Sequence, residues 1–89
     1  MEKLSDLPNI GKELERQLNN IGIITPDDLR RTGSCMAFQQ IFEIDSSACC
    51  NMLYALEGAL QGIRWHTLDT SKKNELKHYM KMLRLSEKK

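Results

Sequence analysis

The chain has 89 residues, 40% hydrophobic and 28% charged, with a formal net charge of +1. That length holds one domain with a modest core, burying about 60–65% of the unfolded surface. No apolar run approaches the ~20 residues of a membrane span and the opening Met-Glu-Lys-Leu-Ser has no apolar leader region, so an ordinary soluble domain in the cytoplasm is expected.

The pattern is helical from end to end, and β-branched residues are scarce outside Ile23-Ile24-Thr25. A short turn around Ser5 to Leu7 leads into Pro8, and Leu7-Pro8-Asn9-Ile10-Gly11-Lys12 reverses the chain. A helix is predicted from about Gly11 to Asn20. Leu14, Leu18 and Ile21 form its buried face, with Lys12, Glu13, Arg16 and Gln17 outside. A second reversal, Ile21-Gly22-Ile23, precedes the clearest start signal in the chain. There Thr25 is a natural N-cap, Pro26 fits the first helical position, and Asp27 and Asp28 suit the positive end of the helix dipole. That helix ends near Thr32, before Gly33. Ser34 is expected to cap a third helix carrying Ala37, Phe38, Ile41 and Phe42, which breaks at Glu43-Ile44-Asp45.

Ser46 or Ser47 is expected to open the most apolar helix, to about Gln61. Cys49, Met52, Leu53, Leu56, Ala59, Leu60 and Ile63 give it a broad buried face, so it should be central. Gly58 inside it costs about 1 kcal/mol relative to Ala, which suggests a close helix crossing. After Gly62, the stretch Ile63-Arg64-Trp65-His66-Thr67-Leu68 crosses to a final helix capped by Asp69, Thr70 or Ser71 and running to about Arg84. Leu76, Tyr79, Met80 and Leu83 line its inner side; Lys72, Lys73, Lys77, Lys81 and Arg84 line its outer side. The reading is a compact all-α bundle of about five helices, a single domain over residues 1–85 with a frayed tail at 86–89.

Charge is uneven. Five Lys/Arg face eight Asp/Glu through Asp45, and eight face four from Ser46 onward, so the basic half is not the half with the first two glycine turns. The three cysteines, Cys35, Cys49 and Cys50, include no Cys-x-x-Cys pair and read as reduced thiols packed as small hydrophobes. His66 and His78 have no partner at metal-ligand spacing, and no Ser/His/Asp, Cys/His or paired-carboxylate pattern stands out. No catalysis, metal, cofactor or small-molecule substrate is expected.

Two groups of residues carry a family likeness. One is Leu7-Pro8-Asn9-Ile10-Gly11 with Leu14, Leu18, Ile21-Gly22-Ile23, Thr25 and Asp28-Leu29. The other is Leu53-Tyr54-Ala55-Leu56-Glu57-Gly58-Ala59-Leu60-Gln61-Gly62 followed by Trp65. Over roughly Leu4 to Leu76 the chain resembles the C-terminal domain of the TfoX (Sxy) family, bacterial regulators of natural competence. The resemblance implies a small helical domain opening with a helix-hairpin-helix-like element. Such elements look like the hairpins of DNA repair proteins and the C-terminal domain of the RNA polymerase α subunit, whose turn amides meet DNA phosphates without reading bases. Full-length family members carry a further N-terminal domain that this sequence does not include, so a competence-activator role does not carry over whole. DNA-gripping hairpins also usually read Gly-Ile-Gly; Asn9 stands in the first Gly position, and Asn tolerates left-handed backbone better than most residues.

Two functional readings follow. In the first, the module contributes to transcription regulation by weak, sequence-independent contact with the DNA backbone. Asn9, Gly11 and Lys12, helped by Arg16, would grip phosphate at the open N-terminus of a helix. Asp6, Glu13 and Glu15 lie close and oppose this. In the second, the glycine turns are structural and Lys73, Lys77 and Lys81 dock a protein partner of the transcription machinery. Those lysines form like-charge i,i+4 pairs, each unfavourable by about 0.2–0.5 kcal/mol, which an acidic partner relieves. Asp27 and Asp28 already fill the anion-attracting end beyond the second turn, and Trp65 is expected to anchor the last crossing.

Overall fold

The computed structural model describes residues 3–45 and 48–87, without the side chains of Ser86 and Glu87. After a 3-10 turn at Leu4–Asp6 come α1 (Lys12–Asn20), α2 (Pro26–Thr32), α3 (Ser34–Ile44) and α4 (Cys50–Gln61). A second 3-10 turn, Trp65–Thr67, leads to α5 (Thr70–Glu87). There is no strand among the described residues, and no helix is long and apolar enough to cross a membrane. The all-α expectation holds.

The start of α2 forms as its sequence dictates. Thr25 Oγ1 accepts from the Asp28 amide at 3.1 Å, and Asp28 Oδ2 accepts from the Thr25 and Ile24 amides at 3.2 and 3.1 Å. This reciprocal capping box satisfies donors that a helix start otherwise leaves open. The Ile24 and Thr25 amides, with Arg31, hold the Asp28 carboxyl below its ordinary range. Gly33, at φ 86°, then closes α2 and serves as the N-cap of α3.

The core joins every helix. Leu4, Leu18, Leu29, Phe38, Leu53, Leu56 and Met80 are fully buried, each contributing about 2 kcal/mol through the apolar area removed from water. The expectation that α4 is central is corrected: α3 packs against α1, α2, α4 and α5, whereas α4 packs mainly against α3, α5 and the Trp65–Thr67 turn. Tyr79 Oη on α5 donates to Gln39 Oε1 on α3 at 2.8 Å, closing that side.

Several local expectations are corrected. Ser34 is not an N-cap; it is the first residue of α3, and its buried Oγ donates to Glu57 Oε1 on α4 at 2.7 Å. Cys49 is not on a buried face, because it is the exposed N-cap of α4. The expected opening at Ser46 or Ser47 lies outside the described residues. The last helix runs past Arg84 to Glu87. Lys72 and Lys73 are half-buried rather than fully outside.

Gly58 does mark a close approach, though not between two helices. A Cβ built there would lie 2.6 Å from Asn9 Nδ2, 2.9 Å from the Ile63 carbonyl oxygen and 3.2 Å from Trp65 Cα. What crosses α4 at Gly58 is therefore the first turn together with the segment leading into α5.

Candidate functional site

The left-handed residue of the first turn is Asn9, at φ 70°, not Gly11. Its side chain points into the fold. Nδ2 donates to the Ile63 carbonyl at 2.9 Å and to the Ala55 carbonyl at 3.5 Å, while Oδ1 accepts from the Trp65 amide at 3.1 Å. One amide group thus clasps the turn to α4 and to the connection after it, supplying partners to polar backbone groups that are costly to leave unpaired.

Gly11 is the exposed N-cap of α1, with φ −91° and ψ −175°. That is extended backbone open to any residue, and no atom lies within 4 Å of a Cβ built there. The fold makes no demand for glycine at this position. Beside it, Lys12 is exposed and makes no hydrogen bond or ion pair among the described residues. Arg16 is different: its Nε and Nη2 both bond the Glu13 carboxylate at 2.8 Å. This fork lowers the Glu13 pKa and raises that of Arg16. Glu15 reaches back to accept from the Ser5 amide at 3.1 Å, pinning the opening turn to α1.

Trp65 anchors the crossing to α5 as expected. Its ring stacks on Tyr54 (centroids 5.8 Å apart) and on His66 (4.0 Å). Lys73 Nζ sits 5.9 Å from the indole centroid and donates to the His66 carbonyl at 3.1 Å. A chain of contacts therefore runs from Asn9 through Trp65 to Lys73, linking the first turn to the start of α5.

Farther along α5 the arrangement changes. An open groove of about 550 Å³ separates the start of α4 from α5, with Cys50 and Leu85 giving it apolar surface and buried Met80 beneath it. Lys77, Lys81 and Arg84 line it as well, and none of the three has an ion pair or hydrogen bond among the described residues. Leu85 is 57% exposed. By contrast, Lys72 already pairs with Glu75 at 3.6 Å.

Of the candidate residues, the structure thus joins Asn9 to Lys73 through Trp65 and gathers Lys77 and Lys81 on the groove. Arg16 stands apart, lining a small cleft with Ile21 and Ile44. Arg84, Leu85 and Cys50 were not singled out for a functional role from sequence. The first two were legible, since positions 77, 81, 84 and 85 fall on one helical stripe; the approach of Cys50 depends on tertiary packing. Among the described residues, no group of His, Cys, Asp and Glu is placed to hold a metal ion.

Known proteins give this geometry a context. The family model described as TfoX C-terminal domain matches residues 1–80. The chain belongs to the TfoX C-terminal domain family. It is 35% identical over 75 residues to protein Sxy of Escherichia coli (strain K12), a match covering 84% of this chain and 36% of that protein. The chain therefore spans about a third of the length of this curated relative. Two solved structures from Listeria monocytogenes share the domain's fold. One, an uncharacterized protein in a triclinic crystal form, has a TM-score of 0.92 and 57% identity, covering 93% of this chain and 94% of its own. The other, a protein of unknown function in a tetragonal form, has a TM-score of 0.87 and 58% identity, covering 89% and 98%.

Proposed function

We propose that this domain is a non-catalytic module of transcription regulation, of the kind that serves natural competence, and that it works in the cytoplasm by docking an acidic protein partner on α5. The observation carrying this reading is the set of cations Lys77, Lys81 and Arg84, unpaired among the described residues, around a groove with apolar surface. Arg16 is held by Glu13, Lys72 by Glu75, and Lys73 by Trp65 and His66; Lys12 and Arg64 are also unpaired among the described residues, but neither lines this groove. Membership of a family that includes Sxy supports the regulatory setting.

A second reading is kept because Gly11 supports it. The helix-hairpin-helix-like turn would meet a DNA phosphate through the open amides of α1 and Lys12. A glycine that the fold does not require leaves room for close approach from outside. The inward commitment of Asn9, the Arg16–Glu13 pair and the neighbouring Glu15 weaken it.

Binding of a labelled polyglutamate peptide and of a labelled DNA duplex, each at ~50 and ~200 mM salt, separates the two readings. With α5 as the working surface, the double variant Lys77→Glu/Lys81→Glu loses the peptide and Lys12→Glu keeps it. Loss through Lys12→Glu alone, together with tight duplex binding, would reverse the order of the readings.

A further inference from the structure

Resting on the α5 docking reading, we propose that the groove between the start of α4 and α5 takes an acidic amphipathic helix, whose apolar side chain seats against Cys50 and Leu85. Three features specify this occupant. First, the lining combines two chemistries. The cations Lys77, Lys81 and Arg84, unpaired among the described residues, share it with apolar atoms that a purely charged polymer leaves wet. Second, α4 starts at the groove, and its N-cap, Cys49, supplies no side-chain hydrogen bond to the helix. The first amides of a 12-residue helix add positive potential on the same side as the lysines. Third, the lining residues of α5 run from Asn74 to Leu85. That is about 16 Å of helix at 1.5 Å per residue, the length of roughly three turns of a partner helix.

The lining positions 74, 77, 78, 81, 84 and 85 recur with helical spacing on one stripe of α5. Met80, at the border of that stripe, is buried and turns into the core with Leu76. A partner carrying apolar residues at i, i+4 and i+7 with glutamates flanking them matches both the apolar centre and the cationic rim. Duplex DNA matches the rim alone, because it has no apolar ridge to place against Leu85 and Cys50.

The test uses a labelled acidic peptide of about 14 residues with Leu at i, i+4 and i+7, and a scrambled peptide of the same composition without that periodicity. Affinity is read by fluorescence anisotropy and location by amide NMR. The amphipathic peptide is expected to bind about tenfold tighter than the scrambled one, moving the amides of Cys50 and of Asn74 to Leu85. Leu85→Gln, at an exposed position, should remove most of that advantage while circular dichroism and melting stay unchanged. Equal affinity of the two peptides, with shifts on α5, would overturn the groove while leaving α5 docking in place. No shift on α5 with either peptide would overturn both. Duplex DNA that bound the groove more tightly than the amphipathic peptide would replace the proposed occupant.

Discussion

Gly58→Ala sets two physical effects of opposite sign against each other. Inside a helix, Ala is favoured over Gly by about 1 kcal/mol, so helix propensity alone predicts a more stable protein. The new methyl, however, would stand 2.6 Å from Asn9 Nδ2 and 2.9 Å from the Ile63 carbonyl oxygen. The second is backbone, and the first is fixed by the bond between those same two groups at 2.9 Å. Relieving such overlap typically costs about 1–3 kcal/mol. Displacing the Asn9 amide also forfeits its bonds to Ile63 and Trp65, each worth about 0.5–1.5 kcal/mol. The net expectation is a loss of about 1–5 kcal/mol. For a domain of this size that corresponds to a fall in Tm of roughly 4–8 °C per kcal/mol. Urea unfolding and thermal melts followed by circular dichroism measure it. An unchanged or raised Tm would show that Asn9 and the Trp65 segment are not clasped over Gly58.

Asn9→Gly and Asn9→Ala both delete the clasp, but only alanine retains the strain of a left-handed backbone; the alanine variant should be the less stable by about 1 kcal/mol in urea unfolding. Gly11→Ala should lower stability by no more than about 1 kcal/mol, the cost of a poorer N-cap, since nothing surrounds that position; a larger loss in urea unfolding would reveal a packing role. Asp28 has its carboxyl held below the ordinary range by the Ile24 and Thr25 amides, so its stabilisation is present above the ordinary aspartate pKa and is lost as pH falls through the lowered folded value. Asp28→Asn should therefore flatten the acid limb of a stability–pH curve below about pH 4, and an unchanged limb would refute the capping assignment. Lys77→Glu/Lys81→Glu should alter unfolding free energy by less than about 0.5 kcal/mol, because neither lysine contributes a bond to the fold; a large loss would make the stripe structural.

Legibility from sequence followed the range of the interactions. Thr25-Pro26-Asp27-Asp28 was readable because a capping box closes over four neighbouring residues. The stripe of Leu76, Tyr79, Met80 and Leu83 was readable because helical periodicity places it toward the core without reference to any other segment. Ser34 misled for the opposite reason. A serine before an apolar run suits a local cap, yet its hydroxyl is drawn to Glu57, 23 positions away, and Gly33 takes the cap. Asn9 shows the same limit in the candidate site. Its tolerance of positive φ was visible, whereas its bonds to Ile63 and Trp65 span more than fifty residues and follow from the path of the chain past Gly58. Lys77 and Lys81 were legible as a basic stripe, but Lys73 left it for the Trp65 ring, a contact fixed by where the second 3-10 turn lies.

An amide NMR titration of the labelled domain, with a DNA duplex and with the acidic amphipathic peptide in parallel at low salt, tests most directly whether the working surface is α5 or the first glycine turn. The peptide is predicted to move amides between Asn74 and Leu85, with Gly11, Lys12 and Glu13 unmoved by either ligand. Salt-sensitive duplex shifts centred on Gly11 and Lys12, with α5 silent toward the peptide, would contradict the account.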